Sequence, residues 1–414
     1  MRVLVCGGAG YIGTHFVREL LRHSPHDVVI ADNLEATHGS DVHMDTEKSY
    51  ATRNPGADLE KVKASGYRFA KLEVGDVRDV NFLERVFTTH SPIDAVVHMC
   101  AHIVVPESVR DPLKYYDNNV VGMLRILQTM LKYKCDKLIL SSTAALFGNP
   151  YARMKADSTN ESDPMKPIPS NAKCLPESPY GTTKLVDEYM LKDCAAAYGI
   201  KSVCLRYFNA CGADAEGDIG ETHEPESHLI PLILRVPLAD KINAYNAVHH
   251  PDRRKVNDYV SIFGTDYPTP DGTCIRDYVH VKDLSSAHVR ALEYLDKLTL
   301  DDKDMFFSTF NLGTSRGYSV REVIEAARRV TGHPIPEREE KRRDGDPPVL
   351  VASGEEAAAA LGWTLEYDSI DKIIESAWKF HNKHPVGYET PDVAPSAQAR
   401  VLDSKGMPIQ QGGL

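Results

Sequence analysis

Tyr180 and Lys184 stand four positions apart, behind Ser178-Pro179. Proline suits a first helical turn, so this spacing predicts a helix over 179–198 with both side chains on one face. A tyrosine of ordinary pKa, near ~10, is a poor base at neutral pH. A neighbouring ammonium or another positive charge favours its phenolate. A pair so arranged can take a proton from a hydroxyl while hydride leaves the same carbon. Thr143 closes an apolar run over 137–142 that ends Ser141-Ser142-Thr143, and its hydroxyl can bridge a substrate oxygen and Tyr180. Each feature also has a plainer reading: a surface Tyr and Lys on an amphipathic helix, and a hydroxyl bonded to local backbone at a strand end. The neighbouring motifs decide between them.

Gly7-Gly8-Ala9-Gly10-Tyr11-Ile12-Gly13 follows an apolar run over 2–6 and opens a helical pattern over 11–23. Glycines at 7, 10 and 13 let backbone approach a pyrophosphate and let helix and strand pack closely, and the helix start offers free N–H groups to an anion. The same turn also occurs without a ligand. Asp32 lies 19 positions after Gly13, at the end of a second apolar run over 28–31. A carboxylate there accepts from adenosine ribose hydroxyls and repels a 2′-phosphate, and Asn33 adds no positive charge, so NAD is expected rather than NADP. Asp76, in Gly75-Asp76-Val77, is placed to bond an adenine amino group, or is a loop or helix-cap aspartate. Tyr180, Lys184 and Thr143 therefore follow a NAD-type half.

These residues need a scaffold. Further strands are read over 69–74 and 95–98, with a helical pattern over 118–133 carried by Val121, Leu124, Leu127 and Leu131. Strands alternating with helices imply an α/β fold: a Rossmann-like, doubly wound parallel sheet over 1–205, then residues 206–388, mainly a smaller mixed C-terminal lobe that binds the substrate. Residues 36–66, 151–176 and 239–258 interrupt the rhythm and read as irregular insertions, tolerated on the surface. Residues 389–414 read as a mobile tail rich in Pro, Gly, Ser and Gln. Lys and Arg total 48 against 59 Asp and Glu, a formal net charge of −11, which disfavours nucleic acid or anionic membrane as a partner. Eight cysteines without a CxxC pair suggest free thiols in a reducing compartment and no metal site of that type. No apolar stretch reaches the ~18 residues that span a bilayer. Neither a secretory leader nor a Ser-Lys-Leu ending is present, so a cytoplasmic protein is expected.

Further runs strengthen the pattern: Asp32-Asn33-Leu34, Tyr115-Tyr116-Asp117-Asn118-Asn119-Val120, Ser178-Pro179-Tyr180-Gly181, Leu205-Arg206-Tyr207-Phe208-Asn209, Ile262-Phe263-Gly264-Thr265-Asp266-Tyr267-Pro268-Thr269, and Asp271-Gly272-Thr273 leading to Arg276-Asp277-Tyr278-Val279-His280-Val281. With the glycine turn, these resemble the extended short-chain dehydrogenase/reductases, and most closely the UDP-galactose (UDP-glucose) 4-epimerase family. The resemblance covers about residues 1–388 outside the insertions. It implies a retained NAD, removal of the sugar 4-hydroxyl proton by Tyr180, hydride transfer from C4, rotation of the 4-keto sugar and hydride return to its other face. It implies cofactor contacts at Gly7, Gly10, Tyr11, Ile12, Gly13, Asp32, Asn33, Asp76, Val77, Asn119, Tyr180, Lys184 and Tyr207. For UDP-galactose or UDP-glucose it implies contacts at Thr143, Tyr180, Asn209, His228, Leu229, Phe263, Arg276, Arg343, Asp346 and Leu350. Relatives pair through two helices, which here would be those over 118–133 and 179–198, so a homodimer is implied.

The chain departs from the family at several positions. Thr143 replaces a serine and keeps the hydroxyl. Ile103 stands where a nicotinamide-side lysine is expected, and Thr182 replaces the first lysine of the usual Tyr-Gly-Lys-Ser-Lys run. His228 stands for a UDP-contacting asparagine. Leu350 stands where residue bulk gates sugar size, and points to glucose and galactose over N-acetylated sugars. Ala144-Ala145 after Thr143 lacks the Asp-Glu pair of a 4,6-dehydratase. The alternatives are another UDP-sugar epimerase, acting on UDP-GlcNAc/UDP-GalNAc or UDP-glucuronate, and a catalytically silent NAD-binding regulator.

Overall fold

A computed structural model describes residues 1–35, 44–150, 166–223, 225–343 and 346–388. Its fourteen strands are numbered here in chain order. β1 (Arg2–Cys6), β2 (Asp27–Asp32), β3 (Lys71–Val74), β4 (Ala95–His98), β5 (Lys137–Thr143) and β6 (Lys201–Tyr207) join β11 (Phe307–Leu312) in one parallel sheet, ordered β11-β6-β5-β4-β1-β2-β3. Val and Ile-rich strands without polar alternation are buried on both faces, as helices on each side require. One face carries the helices Tyr11–His23 and Val281–Lys297, with Phe16, Leu20, Leu284 and Leu292 in its core. The other carries Val80–Thr89, Gly122–Tyr133 and Pro179–Tyr198, with Phe82, Val86, Ile126 and Leu191. Strand order reverses between β1 and β4, which opens a crevice at the strands' carboxyl ends.

The remaining strands build the smaller lobe. β7 (Asn209–Cys211) pairs with β10 (Tyr278–His280), β8 (Val260–Phe263) with β13 (Glu337–Glu340), and β9 (Ile275–Arg276) lies between β12 (Tyr318–Ser319) and β14 (Val349–Leu350). Helices Leu229–Arg235, Val320–Thr331 and Ile370–Lys383 enclose a core of Ile233, Ile262, Val323 and Ile374.

The helices over 11–23 and 179–198 fall as the spacing predicts. Other readings need correction. The division after residue 205 is not a clean cut, because helix Val281–Lys297 and β11 return to the first layer. The pattern over 118–133 begins as a π turn, Tyr116–Val121, and becomes α-helical at Gly122. Residues 239–258 are not irregular throughout: Ala239–His249 is a helix. It buries only Ala239 and Ile242, so its apolar periodicity is too thin to read. The Asn243 amide, donating to Val256 O at 2.9 Å and accepting from Val256 N at 2.8 Å, ties the following loop back to it.

The described part of 36–66 holds two short helices, Glu47–Arg53 and Leu59–Ala64. Buried Asp45 anchors it by accepting from Arg18 Nε at 2.9 Å and Arg53 Nη2 at 3.1 Å. Within 151–176, residues 151–165 lie outside the described residues. The remainder is no surface passenger: Ile168 is buried, its N–H donates to Val351 O at 2.8 Å, and its carbonyl accepts from the Asn311 amide at 2.8 Å. The expected tail, 389–414, also lies outside the described residues.

Candidate active site

Local steric demands shape the glycine turn. Gly7 has φ +83°, and a Cβ there would lie 2.5 Å from Cys100 N. A Cβ on Gly13 would lie 2.2 Å from Gly7 O, so helix and turn pack with no room for a side chain. Gly10 differs: its Cβ would meet only Gly7 O, at 3.5 Å. Nothing in the protein crowds that position, and a side chain would fill the space beside the helix start, where Gly10 caps without a side-chain bond. Free N–H groups beside open space suit a phosphate group. Tyr11 points the other way and donates to Gly212 O at 2.8 Å.

Asp32 ends β2, 8% exposed, and accepts from Ala9 N at 3.0 Å and Leu34 N at 2.8 Å. Burial raises its pKa against the pull of those two bonds. Asn33 accepts from Glu35 N. Burial opposes ionisation of Asp76, but bonds from Arg78 prevail and hold its carboxyl below the usual range. Val77 is buried against helix Gly122–Tyr133. Asn119 is fully buried, and its amide is already committed: it accepts from His102 N at 2.9 Å and donates to His102 O at 3.2 Å and Thr183 Oγ1 at 3.0 Å.

Thr143 lies opposite Tyr207 across β5 and β6. The Thr143 hydroxyl accepts from Ala145 N at 3.1 Å, as the plainer reading has it, and also lies near enough to Tyr180 to lower its pKa. That meeting is set by close packing, since a Cβ on Gly181 would lie 2.6 Å from Ala145 O, and Ser178 caps the helix by accepting from Gly181 N at 3.2 Å. Burial raises the Tyr207 hydroxyl pKa while its bond with Ser141 lowers it. One turn beyond Tyr180, Lys184 is 2% exposed. The ammonium does not produce the expected phenolate by itself. Burial pushes Tyr180 up to about 12, the Thr143 hydroxyl pulls down, and Asp187 pushes up again. Removing phenolate from water outweighs the favourable contacts. Burial and the Lys184 charge together hold His98 neutral, down to about 3.

The lobe brings its candidates onto neighbouring strands. Arg276 pairs in register with Leu350 and forms an ion pair with Asp346. Phe263 ends β8, and the Arg343 guanidinium stands 4.0 Å from its ring centroid. Asn209, two positions after Tyr207, donates its amide to Asp277 O at 2.9 Å. His228 precedes helix Leu229–Arg235, and Leu229 packs on the lobe core. Leu350 packs with Leu146, Phe147 and Phe208, just beyond Thr143. The two residue sets therefore meet at one seam.

Sequence reasoning missed three features here. Asp187 is fully buried, 4.0 Å from Lys184 Nζ, with neither oxygen hydrogen-bonded. Glu188 and Arg206 form a buried pair that also binds Ser142. Glu221, His223 and Glu226 gather around His228. Helical spacing could have flagged Asp187, three positions from Lys184. The other two depend on contacts between distant or irregular segments.

Residues 3–313 match the family model described as the NAD dependent epimerase/dehydratase family. The chain is 43% identical over 390 residues to a UDP-glucose 4-epimerase of Halalkalibacterium halodurans, covering 94% of this chain and 98% of that one. It is similar to the crystal structure of a Bifidobacterium longum UDP-glucose 4-epimerase in complex with NAD+ and UDP, at TM-score 0.75 and 35% identity, over 94% and 100% of the two chains. A Campylobacter jejuni UDP-Glc/GlcNAc 4-epimerase matches at TM-score 0.67 and 32% identity, over 92% and 99%.

Proposed function

This chain belongs to the NAD dependent epimerase/dehydratase family, and from that premise we propose that Thr143, Tyr180 and Lys184 invert C4 of a UDP-linked hexose, interconverting UDP-galactose and UDP-glucose. It is an epimerase, and NAD is its cofactor. NAD, when bound, supplies the acceptor and the donor of hydride. The glycine turn, with Tyr11 and Ile12 at the helix start, binds the cofactor's diphosphate. Asp32 and Asn33 take its ribose, and Asp76 and Val77 flank its adenine. Asn119 fixes the loop at His102, and Tyr207 stands beside Tyr180.

The observation that carries the reading is the seating of Tyr180 and buried Lys184 one turn apart on the helix Pro179–Tyr198, at the carboxyl end of the parallel sheet, where Thr143 lies close enough to pull the Tyr180 pKa down. Tyr180 Oη takes the proton of the sugar 4-hydroxyl as C4 is oxidised and gives it back as C4 is reduced on its other face. Thr143 Oγ1 orients the sugar oxygen, and Lys184 supplies a fixed positive charge. Arg276 and Arg343 bind the substrate diphosphate through charge-assisted bonds, with Asp346 holding Arg276 in place. Phe263 packs on the uracil, Asn209, His228 and Leu229 line the nucleotide, and Leu350 bounds the sugar.

Leu124 and Leu131 on helix Gly122–Tyr133 and Tyr189 on helix Pro179–Tyr198 are exposed apolar groups. They support a homodimer joined through those helices. No described helix is long and apolar enough to cross a membrane. All eight cysteines are free, which supports a reducing, cytoplasmic location, and the proposed substrate pair gives the protein a role in galactose metabolism. Cell fractionation that finds the protein outside the cytosol would refute that location.

Proton NMR of the purified protein with UDP-galactose, and no added NAD, should show UDP-glucose forming to a fixed ratio. Tyr180→Phe should lose turnover by about 10²–10⁴-fold while nucleotide still copurifies. Unchanged UDP-galactose even with NAD supplied, or full activity in the variant, would overturn the reading.

A further inference from the structure

Glu221, His223, Glu226 and His228 form a cluster in the segment leading into helix Leu229–Arg235. The proposed reaction gives no role to the first three. One ligand atom from each residue lies within 4.8 Å of all the others. His223 Nδ1 stands 3.3 Å from Glu221 Oε1 and 3.8 Å from Glu226 Oε1. His228 Nδ1 stands 2.7 and 3.6 Å from the same two oxygens. Four ligands placed about 2.0–2.1 Å from a tetrahedral zinc ion are separated by about 3.3–3.4 Å. The four separations bracket that edge, so small side-chain shifts would close the tetrahedron.

The state of these groups also points to a missing ligand. The Glu221 and Glu226 side chains are 4% and 1% exposed. Buried carboxylates are normally fully paired or bound to metal. Here Glu226 Oε1 accepts from Ser227 N at 2.8 Å and His228 N at 3.0 Å, whereas Oε2 has no hydrogen-bond partner and stands 3.9 Å from Arg235. Both Nδ1 atoms lie within ion-pair distance of the carboxylates, His228 Nδ1 the closer to Glu221. Two imidazoles and two carboxylates suit a borderline-soft ion such as zinc better than magnesium, which prefers an octahedron of oxygens.

We propose that Glu221, His223, Glu226 and His228 form a tetrahedral site for one divalent cation of the zinc class. The site lies at the seam between layers. The His223 ring is 6.3 Å from the Tyr11 ring at the start of the first helix, and 5.2 Å from the His228 ring that leads into helix Leu229–Arg235. A cation there ties Glu221, His223, Glu226 and His228 together beside both nucleotide sites. The sequence reading, which sought metal sites through cysteine spacing, expected none. Its Glu-x-His-x-x-Glu-x-His spacing carries the ligands instead.

Full-length protein is first freed of metal with a chelator, then titrated with zinc chloride against a chromophoric competitor. One equivalent should bind with micromolar or tighter affinity, and magnesium should not compete. Zinc should also raise the thermal midpoint, since an ion that binds only the folded state stabilises it. His223→Gln and Glu226→Gln should each weaken zinc binding at least tenfold and abolish the thermal shift. Circular dichroism checks that each variant folds, and either folded variant suffices. Absence of zinc uptake by the wild type overturns the proposal. So does wild-type affinity in a folded variant, because other histidines would then hold the ion. The readout does not depend on turnover, so it succeeds or fails separately from the epimerase reading.

Discussion

Replacing Asp187 with Asn tests the buried environment beside Lys184. Burial moves the Asp187 carboxyl from its ordinary 3.8 up to about 8, with Lys184 pulling down and Glu188 pushing up. Between those two values the unfolded chain releases this proton and the folded chain keeps it. The folded state then binds more protons, so its stability falls as pH rises. The slope is ~1.4 kcal/mol per pH unit, which gives about 4 kcal/mol between pH 5 and 8. Asp187→Asn removes the titration and keeps the shape. Urea unfolding of both proteins at several pH values should show the variant gaining on the wild type by at least about 2 kcal/mol over that range, allowing for relaxation around the charge. Above pH 8 the difference should level off. Parallel stability curves from pH 5 to 8 would refute the reasoning, since they would mean that Asp187 is hydrated or paired in the folded protein.

A Cβ on Gly13 would strike Gly7 O at 2.2 Å, and backbone on both sides leaves no flexible atom to yield. Gly13→Ala should therefore force helix and turn apart and strip copurifying nucleotide, read by its absorbance after denaturation. Full nucleotide content would show that the turn does not hold the cofactor. Leu350 packs against Phe147 and Phe208 beyond Thr143, so Leu350→Ala should enlarge the sugar space. Activity on UDP-GalNAc relative to UDP-galactose should rise about tenfold, within the range for losing one apolar contact, and an unchanged ratio places Leu350 away from the sugar. Sedimentation velocity at micromolar concentration should show a dimer, and Leu124→Glu with Leu131→Glu should yield monomers. A wild-type monomer would remove the helix-pairing model.

Local chemistry was legible along the chain. The helix over 11–23 and the strand over 95–98 match their predicted bounds, because apolar periodicity and capping act within a few residues. The glycine turn, Asp32 and the Tyr180–Lys184 spacing could be read as a candidate site for the same reason. Helix Ala239–His249 escaped notice because it buries almost nothing, and the anchoring of Ile168 because its partners, Val351 and Asn311, come from distant segments.

Residue types and short-range order, then, were determined by the sequence itself: which segments become buried strands, where a helix offers free N–H groups, and which side chains share a helix face. Tertiary structure alone decided the return of β11 to the first sheet, the placing of Leu350 beside the segment after Thr143, and the closeness of Glu221, His223, Glu226 and His228. It also decided electrostatics. Tyr180 beside a lysine reads as an activated base, yet burial holds it protonated at neutral pH until another positive charge arrives. Desolvation depends on every atom that displaces water, and those atoms come from all along the chain.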